Sequence, residues 1–165
     1  MLARFGPEIY SSLGNLEALM LIDRLLPEAR ELLVTIKDGS PLIDAANQFR
    51  KGIDLVVVCD ESGRACGVVT KTDVVAKMSQ CGGASCTEPA STVMTRKIVS
   101  CQASDWGTAV WASMKEHRLK NLPILDGESR PIGVMTARLV LQLLLEETSD
   151  EEALLRDYVM NVGYH

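Results

Sequence analysis

Residues 60–75 read DESGRACGVVTKTDVV and residues 126–141 read DGESRPIGVMTARLVL, one pattern written twice at an offset of 66. Six of these sixteen positions are identical: Asp60/Asp126, Arg64/Arg130, Gly67/Gly133, Val68/Val134, Thr70/Thr136 and Val74/Val140. Unrelated segments would share about one, because even common residue types each make up under roughly a tenth of a chain. The chain therefore contains a duplication. Upstream the offset becomes 65, aligning Val34 with Val99, Ala45 with Val110 and Phe49 with Met114. One residue inserted in a helix-to-strand turn accounts for the change.

Each copy reads β, α, β, β, α. In the first, residues 33–36 are a short apolar run, and residues 41–49 place Leu42, Ala45, Ala46 and Phe49 at helical spacing. Residues 55–59 then read as a buried strand, 60–64 as a turn, 66–69 as a second strand, and 70–78 as a helix with Thr70 at its N-cap. The second copy repeats the order over residues 98–100, 105–116, 122–125, 132–135 and 136–146. Residues 79–91, SQCGGASCTEPAS, are a linker of Gly, Ser and Cys.

Two flanks fall outside the repeat. Residues 13–32 carry Leu16, Leu19, Met20, Ile22 and Leu26 on or near one face, with Pro27 expected to divide them into two helices. Residues 151–160 follow Ser149 and Asp150, which read as the capped start of a separate helix with an acidic face. The expected organisation is a helical segment over residues 1–31, a first copy over 32–80, a linker over 81–90, a second copy over 91–147 and a C-terminal helix over 148–165. An apolar face three strands wide needs cover, so each copy is expected to pack on its twin, with the flanking helices covering more or joining two chains.

A chain of 165 residues suits one domain or two small units sharing a core, and a 47% apolar, 24% charged composition excludes disorder, collagen and coiled coil. A net charge of -5 argues against a nucleic-acid partner held by phosphate neutralisation. No apolar run reaches the roughly 18 residues of a membrane span. The start, MLARFGPEIYSS, lacks a secretory h-region, and Glu8 and Glu17 depart from an acid-poor transit peptide. Five cysteines, an odd number without framework spacing, fit a reducing compartment. The expectation is a soluble cytoplasmic protein.

With these residues in view, each copy resembles a cystathionine-β-synthase (CBS) domain, and the pair resembles a Bateman module over residues 32–147. The resemblance rests on Gly67-Val68-Val69-Thr70-Lys71-Thr72-Asp73, which matches the Gly-h-h-Thr/Ser-x-x-Asp stretch closing each domain. Leu122-Pro123-Ile124-Leu125-Asp126 matches the central strand, and Ser91-Thr92-Val93-Met94-Thr95 the segment leading into the second domain. It implies an α/β (α+β) fold of two βαββα copies about a pseudo-two-fold axis, with extra N- and C-terminal helices. It also implies two clefts that in many members take AMP, ADP, ATP or S-adenosylmethionine, with catalysis elsewhere.

Chemistry at Thr70 and Asp73 suits that ligand class. An ionised carboxylate three residues after an N-cap accepts several hydrogen bonds and can hold both hydroxyls of a ribose. Free backbone N–H groups at the helix start favour a phosphate, with the Thr70 hydroxyl as a further donor. The plainer alternatives are a first-turn acid that stabilises its helix and an ordinary N-cap. By the resemblance, Ile98, Val99, Ser100 and Pro123 flank the adenine, Val69 is a further ligand-binding position, and Lys120, Asn121 and Arg138 take the phosphate side; the plainer reading of both cations is solvated surface charge. The second cleft departs from the pattern: Leu139 stands where Asp73 does, and Asp54 where Lys120 does, so one competent cleft is expected.

Other groups are weaker. Cys81 and Cys86 flank Gly-Gly-Ala-Ser and suggest a switchable disulfide, without the partners a zinc site needs. Cys59, Cys66 and Cys101 fall on strands or strand ends and read as small buried hydrophobes. Neither His117 nor His165 has a nucleophile nearby in sequence. Trp106 and Trp111 lie about 140° apart on a helix, one for the core and one for an interface. No Walker loop, dinucleotide fingerprint, HExxH or GxSxG occurs, so an independent enzyme is not expected. The resulting expectation is a homodimeric regulatory module that senses adenine nucleotide and signals to a protein target. Its rivals are a structural dimerisation adaptor with empty clefts and a cysteine redox sensor.

Overall fold

A computed structural model describes residues 21–80 and 87–162. The first copy runs β1 (Thr35–Lys37), α2 (Leu42–Arg50), β2 (Leu55–Cys59), β3 (Ala65–Thr70) and α3 (Lys71–Gln80), preceded by a 3-10 turn (Ile22–Leu25) and α1 (Leu26–Glu31). The second runs from a 3-10 turn (Ala90–Thr92) through α4 (Gly107–His117), β4 (Asn121–Leu125), β5 (Pro131–Thr136) and α5 (Ala137–Val162). The fold is mixed α and β, as the repeat implies.

In the first sheet β1 pairs parallel with β2, and β2 pairs antiparallel with β3. Every residue of β2 is buried, as befits a central Leu-Val-Val-Val-Cys strand covered on both faces. The second sheet keeps only the antiparallel pair β4 and β5. Its bulge falls between Ile124 and Leu125, equivalent to the first copy's bulge between Val58 and Cys59.

The strand expected over residues 98–100 is reduced to one parallel bridge, Cys101 with Ile124, equivalent to Ile36 with Val58. A turn closes immediately after it: Gln102 N–H donates to Asp105 Oδ2 at 2.8 Å, and Asp105 N–H to Gln102 O at 3.0 Å. This turn stops the ladder that β1 continues to Lys37. Pro27 also acts differently from expectation. It lies in the first turn of α1, where its missing N–H removes no helical bond, and the break falls before Leu26. Nor does a new helix start at Ser149 and Asp150. Ser149 Oγ donates to Leu145 O at 3.1 Å inside an unbroken α5, and the expected separate helix is the end of that element.

The two cores exchange their lead-in segments. The first copy's core, Leu42, Ala45, Phe49, Val56, Val58, Val69 and Val74, takes in Ala90 and Met94 from the second copy's lead-in. The second copy's core, including Val110, Met114, Leu122, Ile124 and Met135, takes in Ile22, Leu25 and Ala29 from the chain ahead of the first copy. The repeated glycines are where these segments dock. A Cβ on Gly67 would overlap Met94 Sδ, and one on Gly133 would lie 3.0 Å from Ala29 Cβ. Met94 and Ala29 are themselves 65 apart, so the exchange is reciprocal. Residues 13–20 of the expected N-terminal helix, together with Cys81, Cys86 and His165, lie outside the described residues.

Candidate functional site

Thr70 ends β3 and caps α3, and its link to Asp73 runs both ways. Asp73 Oδ2 accepts Thr70 N–H and Thr70 Oγ1–H, each at 2.8 Å, while Asp73 N–H points to Thr70 Oγ1 at 3.4 Å. This is a capping box with Asp in place of Glu. It binds the carboxylate into position, half-buried, at the end of the first sheet. It also uses the Thr70 hydroxyl as donor to Asp73, so that proton is not the spare phosphate donor expected from sequence. Oδ2 is committed to Thr70, and Oδ1 is the oxygen left for a ligand hydroxyl.

Beside this cap, Lys71 Nζ meets Asp54 Oδ1 at 2.6 Å. Asp54 is thus half of a neutral pair. What distinguishes this position from Lys120 is the missing cation, rather than the free negative charge that the sequence suggested.

The other expected site residues come from the second copy. Ile98, Val99 and Ser100 belong to a stretch anchored on both sheets. Thr95 exchanges both backbone bonds with Val68, two residues before Thr70, at 2.9 and 3.0 Å. At the far end Cys101 N–H donates to Pro123 O at 3.1 Å. Val99 packs on the second core and Pro123 is buried within β4, whereas Ser100 is exposed. Val69 is fully buried in the first core, so its contribution to any site is through shape.

Lys120 directly precedes β4 and Asn121 opens it, with Asn121 registered against Thr136 and Lys120 O accepting Ala137 N–H at 2.8 Å. Lys120 is exposed and makes no ion pair among the described residues. Arg138 lies on the outer side of α5, in an open groove of about 950 Å3 with Arg24, Leu141, Gln142, Leu145, Glu146 and Ser149. Two groups therefore form, Thr70 with Asp73 and Lys120 with Asn121, each at the end of its own sheet. No hydrogen bond or ion pair joins them among the described residues, and Arg138 turns to a third place.

At the equivalent of Asp73, Leu139 packs on the second core, and its N–H donates to Thr136 Oγ1 at 3.2 Å. The cap survives there in one direction only.

Outside these groups the polar chemistry is sparse. Burial pushes the Cys101 thiol up to about 12, and burial likewise raises Cys59 and Cys66, so all three stay protonated at neutral pH. The His117 ring bonds Ser113 O, 3.0 Å away within its own helix. Trp111 packs on the second core with Lys115 Nζ 5.9 Å from its ring centroid, whereas Trp106 is exposed. Among the described residues, no group of three His, Cys, Asp or Glu is placed to hold a metal ion, and no helix is long and apolar enough to cross a membrane.

Comparison with known proteins agrees with this architecture. A curated relative, a homoserine O-acetyltransferase of Methanococcoides burtonii, is 25% identical over 69% of this chain, which spans only 22% of that protein's length. The CBS-domain containing protein ATU1752 from Agrobacterium tumefaciens superposes with a TM-score of 0.66 at 25% identity, covering 76% of this chain and 93% of that one. The CBS domain pair of protein MJ0100, solved in complex with 5-methylthioadenosine and S-adenosyl-L-methionine, superposes at 0.60 with 18% identity, covering 72% and 96%. The CBS domain family itself matches twice, over residues 29–80 and 90–146, one match for each copy of the repeat. The chain belongs to the CBS domain family and carries a tandem pair.

Proposed function

We propose that this CBS pair is a regulatory module that takes an adenosine-containing ligand (AMP, ADP, ATP or S-adenosylmethionine) at the Thr70–Asp73 cap, and that it works as a homodimer passing a change in packing to a protein target. The observation that carries this reading is the cap itself. One oxygen of a half-buried carboxylate is fixed by Thr70, which leaves Oδ1 preoriented for the ribose hydroxyls. The ligands of the MJ0100 pair share an adenosine moiety, which supports the ligand class. Ile98, Val99, Ser100, Pro123 and Val69 would shape the adenine side, and Lys120 with Asn121 would meet phosphate. Arg138, turned to the outer groove, is left out of that role.

Because the stretch over residues 95–101 is pinned to both sheets, a ligand lodged against it would favour one relative setting of the two copies. Such a preference is the thermodynamic requirement for a signal. In this reading catalysis belongs to the target, and neither nucleic acid nor membrane takes part.

Titration of the full chain with AMP, ADP, ATP and S-adenosylmethionine, followed by melting temperature, tests the proposal. A true ligand at 100 times its Kd adds about 2.7 kcal/mol of stability. Asp73→Ala is expected to weaken binding by about one to two decades, the cost of an unpaired ribose hydroxyl. No shift with any of the four supports a structural adaptor with vacant clefts, and an unchanged Kd in Asp73→Ala removes the site assignment.

A further inference from the structure

Asp54 and Lys120 hold the same place in the two copies. Each directly precedes the strand whose first residue registers against a capping threonine, Leu55 against Thr70 and Asn121 against Thr136. Lys71 and Ala137, the first residues of α3 and α5, are equivalent in the same way. In the first copy these two positions close into an ion pair, with Lys71 Nζ 2.6 Å from Asp54 Oδ1. In the second, Ala137 offers only its N–H, which bonds Lys120 O at 2.8 Å. The Lys120 ammonium therefore stands outside every ion pair among the described residues. Arg138, the next residue of α5, lines the outer groove of that helix beside Gln142 and Glu146.

These pairings fix the charge available at each end of the proposed site. At the sugar end is one carboxylate, Asp73, with Oδ2 fixed by Thr70. The tail end has one ammonium and one neutral amide, Lys120 and Asn121. A phosphomonoester carries about -1.5 to -2 at neutral pH, and every phosphate added to it brings further negative charge. One ammonium with the amide donors of Asn121 matches a single phosphate. A second or third phosphate meets no further cation outside an ion pair in either group, and Asp73 repels it.

We propose that this site selects its ligand by charge. It takes adenosine monophosphate and discriminates against the di- and triphosphate, because Lys71 is tied to Asp54 and Arg138 is turned to the outer groove. The proposal rests on the adenosine reading above and narrows it to one phosphate.

Isothermal titration of the full chain with adenosine, AMP, ADP, ATP and S-adenosylmethionine tests it. AMP is expected to bind at least tenfold tighter than ATP, with ADP between them. Lys120→Ala is expected to weaken AMP at least tenfold and to leave adenosine within twofold, whereas Arg138→Ala and Arg118→Ala leave AMP within twofold. Asp54→Asn frees the Lys71 ammonium beside the cap, and is expected to narrow the gap between ATP and AMP at least threefold. An ATP affinity equal to or above that of AMP overturns the charge selection, as does S-adenosylmethionine binding tighter than AMP. So does a loss of AMP binding in Arg138→Ala or Arg118→Ala, or an ATP-to-AMP ratio unmoved by Asp54→Asn. All of these leave Thr70 and Asp73 standing as an adenosine site. Failure of every ligand to bind, adenosine included, instead overturns the adenosine reading and the charge selection with it.

Discussion

The two sheet ends begin from the same sequence frame and finish with different chemistry. In the first copy Thr70 and Asp73 cap α3 reciprocally, and Lys71 neutralises Asp54 next to them. In the second, Thr136 caps α5 in one direction, Leu139 packs on the core, and Ala137 N–H donates to the carbonyl of Lys120, which makes no ion pair among the described residues. Duplication has preserved the strand, turn and helix start in both. A carboxylate in one copy and a cation in the other are what differ. Among the described residues, neither end has both the capping acid and a cation outside an ion pair, so the proposed nucleotide site needs the acid of one copy and the cation of the other.

The strongest challenge to that picture is to ask whether the copies are energetically separate. Phe49→Ala in the first core and Met114→Ala in the second should cost about 3 to 5 and 2 to 5 kcal/mol. Because each core contains the other's lead-in segment, both variants should still melt in a single transition. Two resolved calorimetric transitions would show that the exchanged segments do not couple the cores. Next in size is Gly67→Ala, expected to cost about 1 to 3 kcal/mol by driving a Cβ into Met94. In a Met94→Ala background the penalty should shrink, and a double-mutant cycle by urea denaturation reads the difference.

Removing the caps sharpens the contrast. Thr70→Ala forfeits a two-way cap and should cost about 1 to 2 kcal/mol, against about 0.5 to 1 for the one-way cap lost in Thr136→Ala. Equal losses would mean that the Asp73 bonds add nothing to stability. Lys71→Ala should cost under about 1 kcal/mol, with the difference fading in high salt, since both partners are more than half exposed.

Smallest near neutrality is the thiol effect. Cys101 is held protonated up to about 12, so its contribution is intact below the ordinary thiol range and is lost as pH rises toward that value, when the unfolded chain ionises first. Cys101→Val should flatten the alkaline fall in melting temperature. Cys59 and Cys66 shift in the same direction, so part of the slope should remain.

Much of this was legible in the sequence for a physical reason. The duplicated stretch carries its own strand alternation, turn residues and cap, all decided within a few positions, and β2 lies where the apolar run over residues 55–59 placed it. The aligned pairs Ala45/Val110 and Phe49/Met114 are all buried, as a shared core position demands. What local pattern could not supply was partnership over distance. Nothing near Ala29 announces that it rests on Gly133, although a glycine repeated within a strand is a sign of close backbone approach. The lost strand before Gln102 depends on a side-chain turn that competes with the ladder. The continuity of α5 follows from Ser149 bonding backward to Leu145, a choice open to any serine. At the candidate site, the Thr-x-x-Asp spacing displayed the cap, but the outward turn of Arg138 and the Lys71–Asp54 pairing required coordinates.

The reciprocal loan of lead-in segments bears on how such a chain can be divided. A half-length polypeptide with a single repeat would leave its strand glycine uncovered, unless another half-length polypeptide offered the missing piece in return. The covalently joined molecule is therefore arranged as a symmetric pair of half-chains tied tail to head, and excising either half for separate expression should yield a species that rebuilds the two-repeat arrangement by self-association.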